Sequence, residues 1–166
     1  MNRSLVALLM LALLGAGSAA ASAAEIVDVY KSPNCGCCGK WIDHMKDAGF
    51  EVRTHNVMDV PLARKTLGMP ERFGSCHTAK VGGYVVEGHV PADDIKEMLR
   101  DKPKARGIAV PGLPLGAPGR EYSNPTCDTA CTVLDGDTGQ EDRVRRELYN
   151  TLLVKPNGDT SIYARH

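Results

Sequence analysis

Three cysteines lie within four residues in the segment NCGCCG, residues 34–39. Cys35 and Cys38 form a C-x-x-C pair, the spacing of a redox dithiol, and Cys37 lies inside that pair. At the start of a helix such thiols have a lowered pKa, because the exposed N–H groups stabilise the thiolate. A third thiolate adds little to a simple exchanger, whereas soft ions such as Cu(I) bind clustered thiolates. The spacing therefore favours a metal site, with thiol–disulfide exchange and a structural Cys35–Cys38 disulfide as the alternatives.

Cys76 and His77 are a second group of candidate ligands, and they follow Gly74 in an expected loop. A thiolate and an imidazole together supply a soft and a borderline ligand. If this loop faces the start of the first helix, Cys76 becomes a fourth thiol of the cluster. The alternative is a buried cysteine beside a histidine that makes an ordinary hydrogen bond. His89 precedes a helical pattern, and it is either a further ligand or a hydrogen-bond anchor.

Two further groups contain residues of ligand type. His44 is seven residues after Cys37, which is roughly 10.5 Å along a helix, so it would serve a second ion or cap the core. Cys127 and Cys131 form a C-x-x-x-C pair. In an oxidising compartment this pair favours a local disulfide, with metal ligation as the alternative.

The hydrophobic pattern around these residues alternates between strand and helix periods. Gly49 is a plausible end for the first helix, and Asn157-Gly158 indicates a hairpin turn between two apolar runs. The order of these expected strands and helices predicts an α/β (α+β) fold, in which a small mixed sheet is flanked by helices. The CxCC motif is expected at the N-terminus of the first helix, and a β-hairpin is expected at the C-terminus. The expected strands are 26–30, 52–57, 80–81, 84–86, 152–154 and 161–163, the expected helices are 37–48, 61–67 and 91–100, and 110–119 is an irregular Pro/Gly loop.

The composition of the chain excludes some classes of function, and its N-terminal segment indicates export. The 166 residues carry 20 basic and 20 acidic side chains, and aromatic residues are 5% of the chain. Neither a nucleic-acid binder nor a base-stacking surface is expected from such a balance. Residues 1–23 resemble a signal peptide, with Arg3, an apolar run and an Ala21-Ser22-Ala23 cleavage site. We therefore expect a chain without stable membrane insertion after cleavage, a domain over 24–121 and an extension over 122–166.

Several separated motifs resemble one family. They are C-x-C-C-x-x-W-x-x-H at 35–44, SCHTA at 75–79, EGHVPA at 87–92 and VPG at 110–112. In this order the motifs are similar to the exported predicted metal-binding family that includes the CopG proteins of bacterial copper resistance. The resemblance covers roughly residues 25–121.

This resemblance implies a thioredoxin-like fold, a periplasmic location and copper binding centred on the CxCC cysteines. It also implies interconversion of Cu(I) and Cu(II), or transfer of copper to periplasmic copper-handling or redox proteins; whether the protein is an enzyme stays open. The implied ligands are Cys35, Cys37 and Cys38, followed in a second tier by Cys76, His77, His44 and His89.

The chain departs from the family pattern in its Pro/Gly loop. Leu113 and Arg120 occupy positions where the family usually carries methionine, so two soft thioether donors are missing. A copper contact through thioether sulfur at these two loop positions is therefore not expected. Either Cys127 and Cys131 replace the missing donors, or they form a disulfide in the tail.

Overall fold

The computed structural model describes residues 24–121 and 147–166. The first range contains five strands and three helices, and the second range is a hairpin. The strands are β1 (Ile26–Lys31), β2 (Glu51–Asn56), β3 (His77–Val81), β4 (Tyr84–Glu87), β5 (Gly107–Ala109), β6 (Asn150–Val154) and β7 (Thr160–Arg165). The helices are α1 (Gly36–Asp47), α2 (Val60–Leu67) and α3 (Ala92–Asp101), with a 3-10 turn at Glu71–Phe73.

All the described strands belong to one mixed sheet of order β2-β1-β3-β4-β5-β6-β7. β1 is parallel to β2 and antiparallel to β3, and β4 is antiparallel to β3 and parallel to β5. The register places His77, at the start of β3, opposite Lys31, at the end of β1. The chain leaves β1 for α1 after that residue, so the start of α1 and the start of β3 lie at the same end of the sheet.

Helix α1 buries one face against the sheet. Trp41, Ile42 and Met45 follow helical spacing on that face, and Cys37 and Cys38 continue it into the first turn. Trp41, Ile42 and Met45 join the main core with Val27 and Val29 of β1 and with Ile95 and Met98 of α3. Burial of such a stripe holds the helix in place, and therefore fixes where its first turn lies.

The β3–β4 connection is a two-residue hairpin turn. Gly82 and Gly83 both have positive φ, at 54° and 89°. Two successive residues of positive φ are what the tight hairpin turn requires, and glycine adopts them without steric penalty.

The predicted α+β fold with a mixed sheet and flanking helices is confirmed. β5 is the strand that the sequence did not predict, and through it the C-terminal hairpin joins the sheet, because β6 pairs with β5. Residues 1–23 and the Cys127/Cys131 pair lie outside the described ranges. None of the described helices is long and apolar enough to cross a membrane. The thioredoxin-like fold stays a prediction.

Candidate metal centre

The three cysteines of the CxCC motif lie at the beginning of α1. Cys35 is the N-cap residue with an extended backbone, and its side chain makes no capping hydrogen bond to the helix. Cys35 and Cys38 form a disulfide with a Cα–Cα distance of 5.3 Å. The Cys37 Sγ lies 3.6 Å from the Cys35 Sγ. Cys37 and Cys38 are fully buried, while Cys35 is partly exposed.

Cys76 brings a fourth sulfur to this helix end from the residue before β3. Its Sγ lies 3.4 Å from the Cys38 Sγ and 3.7 Å from the Cys37 Sγ. The sulfur atoms of Cys35, Cys37, Cys38 and Cys76 all lie within 4.8 Å of one another. We call these four residues the sulfur cluster. The sequence-based condition that the Cys76 loop faces the first helix is therefore met.

His77 and His89 bring two imidazole rings to Cys76. The Cys76 Sγ is 3.0 Å from the His89 Nε2 and 3.4 Å from the His77 Nδ1. Cys76, His77 and His89 form a second group whose donor atoms lie within 4.8 Å of one another. Cys76 thus belongs to both groups.

The hydrogen bond on the far side of His89 fixes its tautomer. The His89 Nδ1 lies 2.7 Å from the backbone oxygen of Pro118, and a carbonyl oxygen only accepts hydrogen bonds. Nδ1 therefore carries the proton in the neutral ring, and the Nε2 lone pair is directed at Cys76. A backbone carbonyl that orients an imidazole in this way is typical of metal-binding histidines.

His77 is held as a neutral ring. Its burial lowers the pKa well below the ordinary value of 6.5, and the neighbouring His89 lowers that pKa further. The ring packs against Trp41 with a centroid distance of 4.5 Å. Trp41 in turn donates its Nε1–H to the Val90 backbone oxygen at 2.8 Å.

A buried ion pair fixes the loop that carries Cys76. The Glu87 Oε1 accepts from the Arg64 Nε and from the Ser75 backbone N–H, both at 2.8 Å. The Arg64 Nη2 also donates to the Ser75 backbone oxygen at 2.6 Å. Burial raises the pKa of Glu87, and the Arg64 charge opposes that rise. Sequence reasoning missed this pair, although a glutamate ending the apolar run Tyr84–Val86 was a signal for it.

The Pro/Gly loop covers the first turn of α1. Gly119 has a φ of 79°, and a Cβ at that position would lie 2.7 Å from the Cys37 oxygen and the Trp41 nitrogen. This close approach brings the Pro118 carbonyl to His89. At the two positions that lack methionine, the Arg120 Nη2 donates to the Leu113 backbone oxygen at 3.1 Å. That contact offers no soft donor in their place.

His44 is placed away from both groups of ligands. Its Nε2 accepts a hydrogen bond from the Ala92 backbone N–H at 3.0 Å, so it caps the start of α3. Burial lowers the pKa of His44 below 6.5. Of the seven residues predicted as ligands, the structure brings together Cys35, Cys37, Cys38, Cys76, His77 and His89, and separates His44 from them.

Comparisons with known proteins show to which family the chain belongs. A family model described as a protein of unknown function, DUF411, matches residues 73–120, which include Cys76, His77 and His89. Two solved structures, form 2 and form 1 of the copper resistance protein CopG, are each 35% identical to the chain. Form 2 has a TM-score of 0.70 over 87% of this chain and 99% of its own. The chain belongs to the CopG family of copper resistance proteins.

The second CopG structure gives the same picture. Form 1 has a TM-score of 0.69 and is covered over 98% of its length. A comparison with curated proteins finds no match. The resemblance of the separated motifs to the CopG family is therefore confirmed.

Proposed function

We propose that this CopG-family protein is a periplasmic copper-binding protein of copper tolerance that holds Cu(I) in the sulfur cluster. The observation that carries the proposal is the convergence of four cysteine sulfurs within 4.8 Å, contributed by a helix start and by the residue before a distant strand. Soft thiolate ligands favour Cu(I) over harder ions. The 35% identity to proteins described as copper resistance proteins supports copper as the ion.

The second group of ligands extends the proposal to Cu(II). His77 and His89 offer imidazole nitrogens beside Cys76, and imidazole is a harder ligand than thiolate that also suits Cu(II). An ion at Cys76 would therefore have both sulfur and nitrogen donors within reach. This graded ligand set supports interconversion of Cu(I) and Cu(II), or transfer of copper to periplasmic copper-handling or redox proteins.

Metal binding by all four sulfurs requires reduction of the disulfide. Cys35 and Cys38 are joined in this structure, and only deprotonated thiols act as metal ligands. Two electrons from a thiol reductant convert the pair to two thiols. We infer that the reduced chain is the copper-binding form, and the signal-like residues 1–23 support its export.

Anaerobic Cu(I) titration of the reduced protein against a competing chelator tests this function. We expect at least one tightly held Cu(I) per chain. Cys37→Ser should abolish tight binding, and His89→Gln should weaken it by about 10–100-fold. His55→Gln is the matched control, because that ring pairs with Asp28 at 2.8 Å and belongs to neither group of ligands. Less than one weakly held Cu(I) in the wild type contradicts the proposal.

The disulfide favours a second candidate, a thiol–disulfide oxidoreductase that uses Cys35 and Cys38. Cys35 is partly exposed at the helix N-cap, where an attacking thiolate would be stabilised. Cys37→Ser separates the two candidates. It should leave disulfide reductase activity largely intact if exchange is the function, and remove Cu(I) binding if copper is the substrate.

A further inference from the structure

Cys76 contacts both a disulfide and a potential proton acceptor. Its Sγ lies 3.4 Å from the Cys38 Sγ, which is half of the disulfide, and 3.0 Å from the His89 Nε2. The Pro118 carbonyl holds the proton of His89 on Nδ1, so the Nε2 lone pair faces the Cys76 thiol. A cysteine thiol beside a correctly oriented imidazole is the arrangement of an activated sulfur nucleophile.

We propose that Cys76 is an internal exchange thiol that moves the disulfide from Cys35–Cys38 to Cys38–Cys76. The exchange goes beyond the proposed copper function and requires no metal. It involves the same sulfur cluster, but in its oxidised state.

The step conserves atoms and electrons. The Cys76 thiol gives its proton to the His89 Nε2, and its Sγ attacks the Cys38 Sγ. The Cys38–Cys76 bond forms while the Cys35–Cys38 bond breaks, and Cys35 leaves as a thiolate. His89 then returns the proton to the Cys35 sulfur, either directly or through water. One disulfide is consumed and one is formed, so no external oxidant or reductant takes part.

The burial of the cluster determines which of its sulfurs an external partner can reach. Cys35 is partly exposed at the N-cap of α1, where the helix start stabilises a leaving thiolate. Cys37 and Cys38 are fully buried, whereas Cys76 is partly exposed, so an external thiol or disulfide reaches the cluster at Cys35 or at Cys76. Internal exchange therefore passes the oxidised state between two accessible sulfurs, of which Cys76 is 38 residues away from Cys38 in the chain.

Peptide mapping of the full chain, stripped of metal with a chelator, tests the bond that should form. In Cys35→Ser/Cys37→Ser, Cys38 and Cys76 are the remaining cysteines of the described residues. After oxidation with glutathione disulfide and trypsin digestion without reduction, we expect peptide 32–40 linked to peptide 73–80. The matched control, Cys35→Ser/Cys37→Ser/Cys76→Ser, should lose this linked pair.

Maleimide trapping of the wild-type chain with one disulfide tests the exchange itself. We expect label on Cys35 in molecules whose peptides 32–40 and 73–80 stay linked. His89→Gln should slow the labelling of Cys35 at least about tenfold, since a positioned proton acceptor contributes that much or more. His55→Gln should not change the rate.

Two results overturn the proposal. One is the absence of the linked peptides in the double variant. The other is a wild-type chain in which Cys35 stays unlabelled, even if the double variant cross-links, because proximity without exchange is then established. Both measurements are made without copper. Their failure leaves the Cu(I) titration unaffected, and a failed titration leaves the exchange intact.

Discussion

Gly119→Ala tests whether the Pro/Gly loop positions the metal centre through its close approach to α1. An alanine there has to adopt a φ of 79°, and its Cβ would lie 2.7 Å from backbone atoms of Cys37 and Trp41. Gly112→Ala is the matched control in the same loop. It has a similar φ of 71°, but a Cβ at that position meets nothing within 4 Å.

The two variants share one penalty and differ in the other. A left-handed backbone at an L-residue disfavours the fold by about 1–2 kcal/mol, and both alanines incur it. Only Gly119→Ala must also lengthen its 2.7 Å contacts to the 3.4 Å of ordinary packing, a shift of about 0.7 Å. Overpacking of this kind destabilises by a further ~1–3 kcal/mol. The same shift at the adjacent Pro118 carbonyl would stretch its 2.7 Å bond to His89 beyond the usual limit of about 3.2 Å.

Urea denaturation of the three proteins, with the disulfide intact, measures the free energies of unfolding. Anaerobic Cu(I) competition on the reduced proteins measures affinity, which should fall about 10–100-fold in Gly119→Ala and little in Gly112→Ala. Equal destabilisation of the two variants would refute the packing argument. Unchanged Cu(I) affinity in a clearly destabilised Gly119→Ala would refute the role of the loop in orienting His89.

Four further variants probe the surroundings of the site. His44→Ala should destabilise the fold by about 1 kcal/mol at pH 8, because the Ala92 backbone N–H loses its hydrogen-bond acceptor at the start of α3. Urea unfolding measures this loss. Burial lowers the pKa of His44, so its contribution to stability is complete above pH 6.5 and is lost as the pH falls below that value. The difference in unfolding free energy between His44→Ala and the wild type should therefore shrink at pH 5. The Cu(I) stoichiometry should not change. Glu87→Leu leaves the Arg64 charge buried without its partner and should destabilise the fold by about 3–5 kcal/mol. The double variant Arg64→Met/Glu87→Leu should recover most of that free energy of unfolding, but it should not recover the Cu(I) affinity. Thr151→Val removes a buried hydroxyl that donates to a carboxylate, and its thermal or urea unfolding should show a loss of about 1–3 kcal/mol with Cu(I) binding unchanged.

Local patterns sufficed for most elements of the fold. The alternation in β1 and the helical spacing of Trp41, Ile42 and Met45 predict their elements, because the core lies on one face of each. β5 was missed because Gly107–Ala109 is three residues long, and its pairing with β4 and β6 is what makes it a strand. Such a strand is specified by its neighbours in space, which sequence periodicity does not report.

The candidate metal centre likewise contains a part that local sequence predicts and a part that depends on contacts distant in the chain. The CxCC spacing places three sulfurs at one helix start because residues that are neighbours in the chain stay close in any fold. Local reasoning therefore predicted the three sulfurs of this motif. The contribution of Cys76 was predicted only as a condition on where its loop faces. His44 shows the limit of a motif: it lies on the same helix as the cysteines, yet it turns to the start of α3. The Pro118 carbonyl carried no sequence signal at all, since any residue supplies one.

The fourth sulfur depends on the register between β1 and β3. His77 pairs with Lys31, and a slip of one residue would turn the side chains of the strand to the opposite face. The Arg64–Glu87 pair holds both backbone groups of Ser75, one residue before Cys76, and so opposes such a slip. A buried ion pair is in general poor evidence of added stability, because desolvation offsets its attraction. The Arg64–Glu87 pair lies beside Cys76, which is the only sulfur among the described residues that both ligand groups share. The need to place Cys76 explains this position of the pair better than any gain in folding free energy.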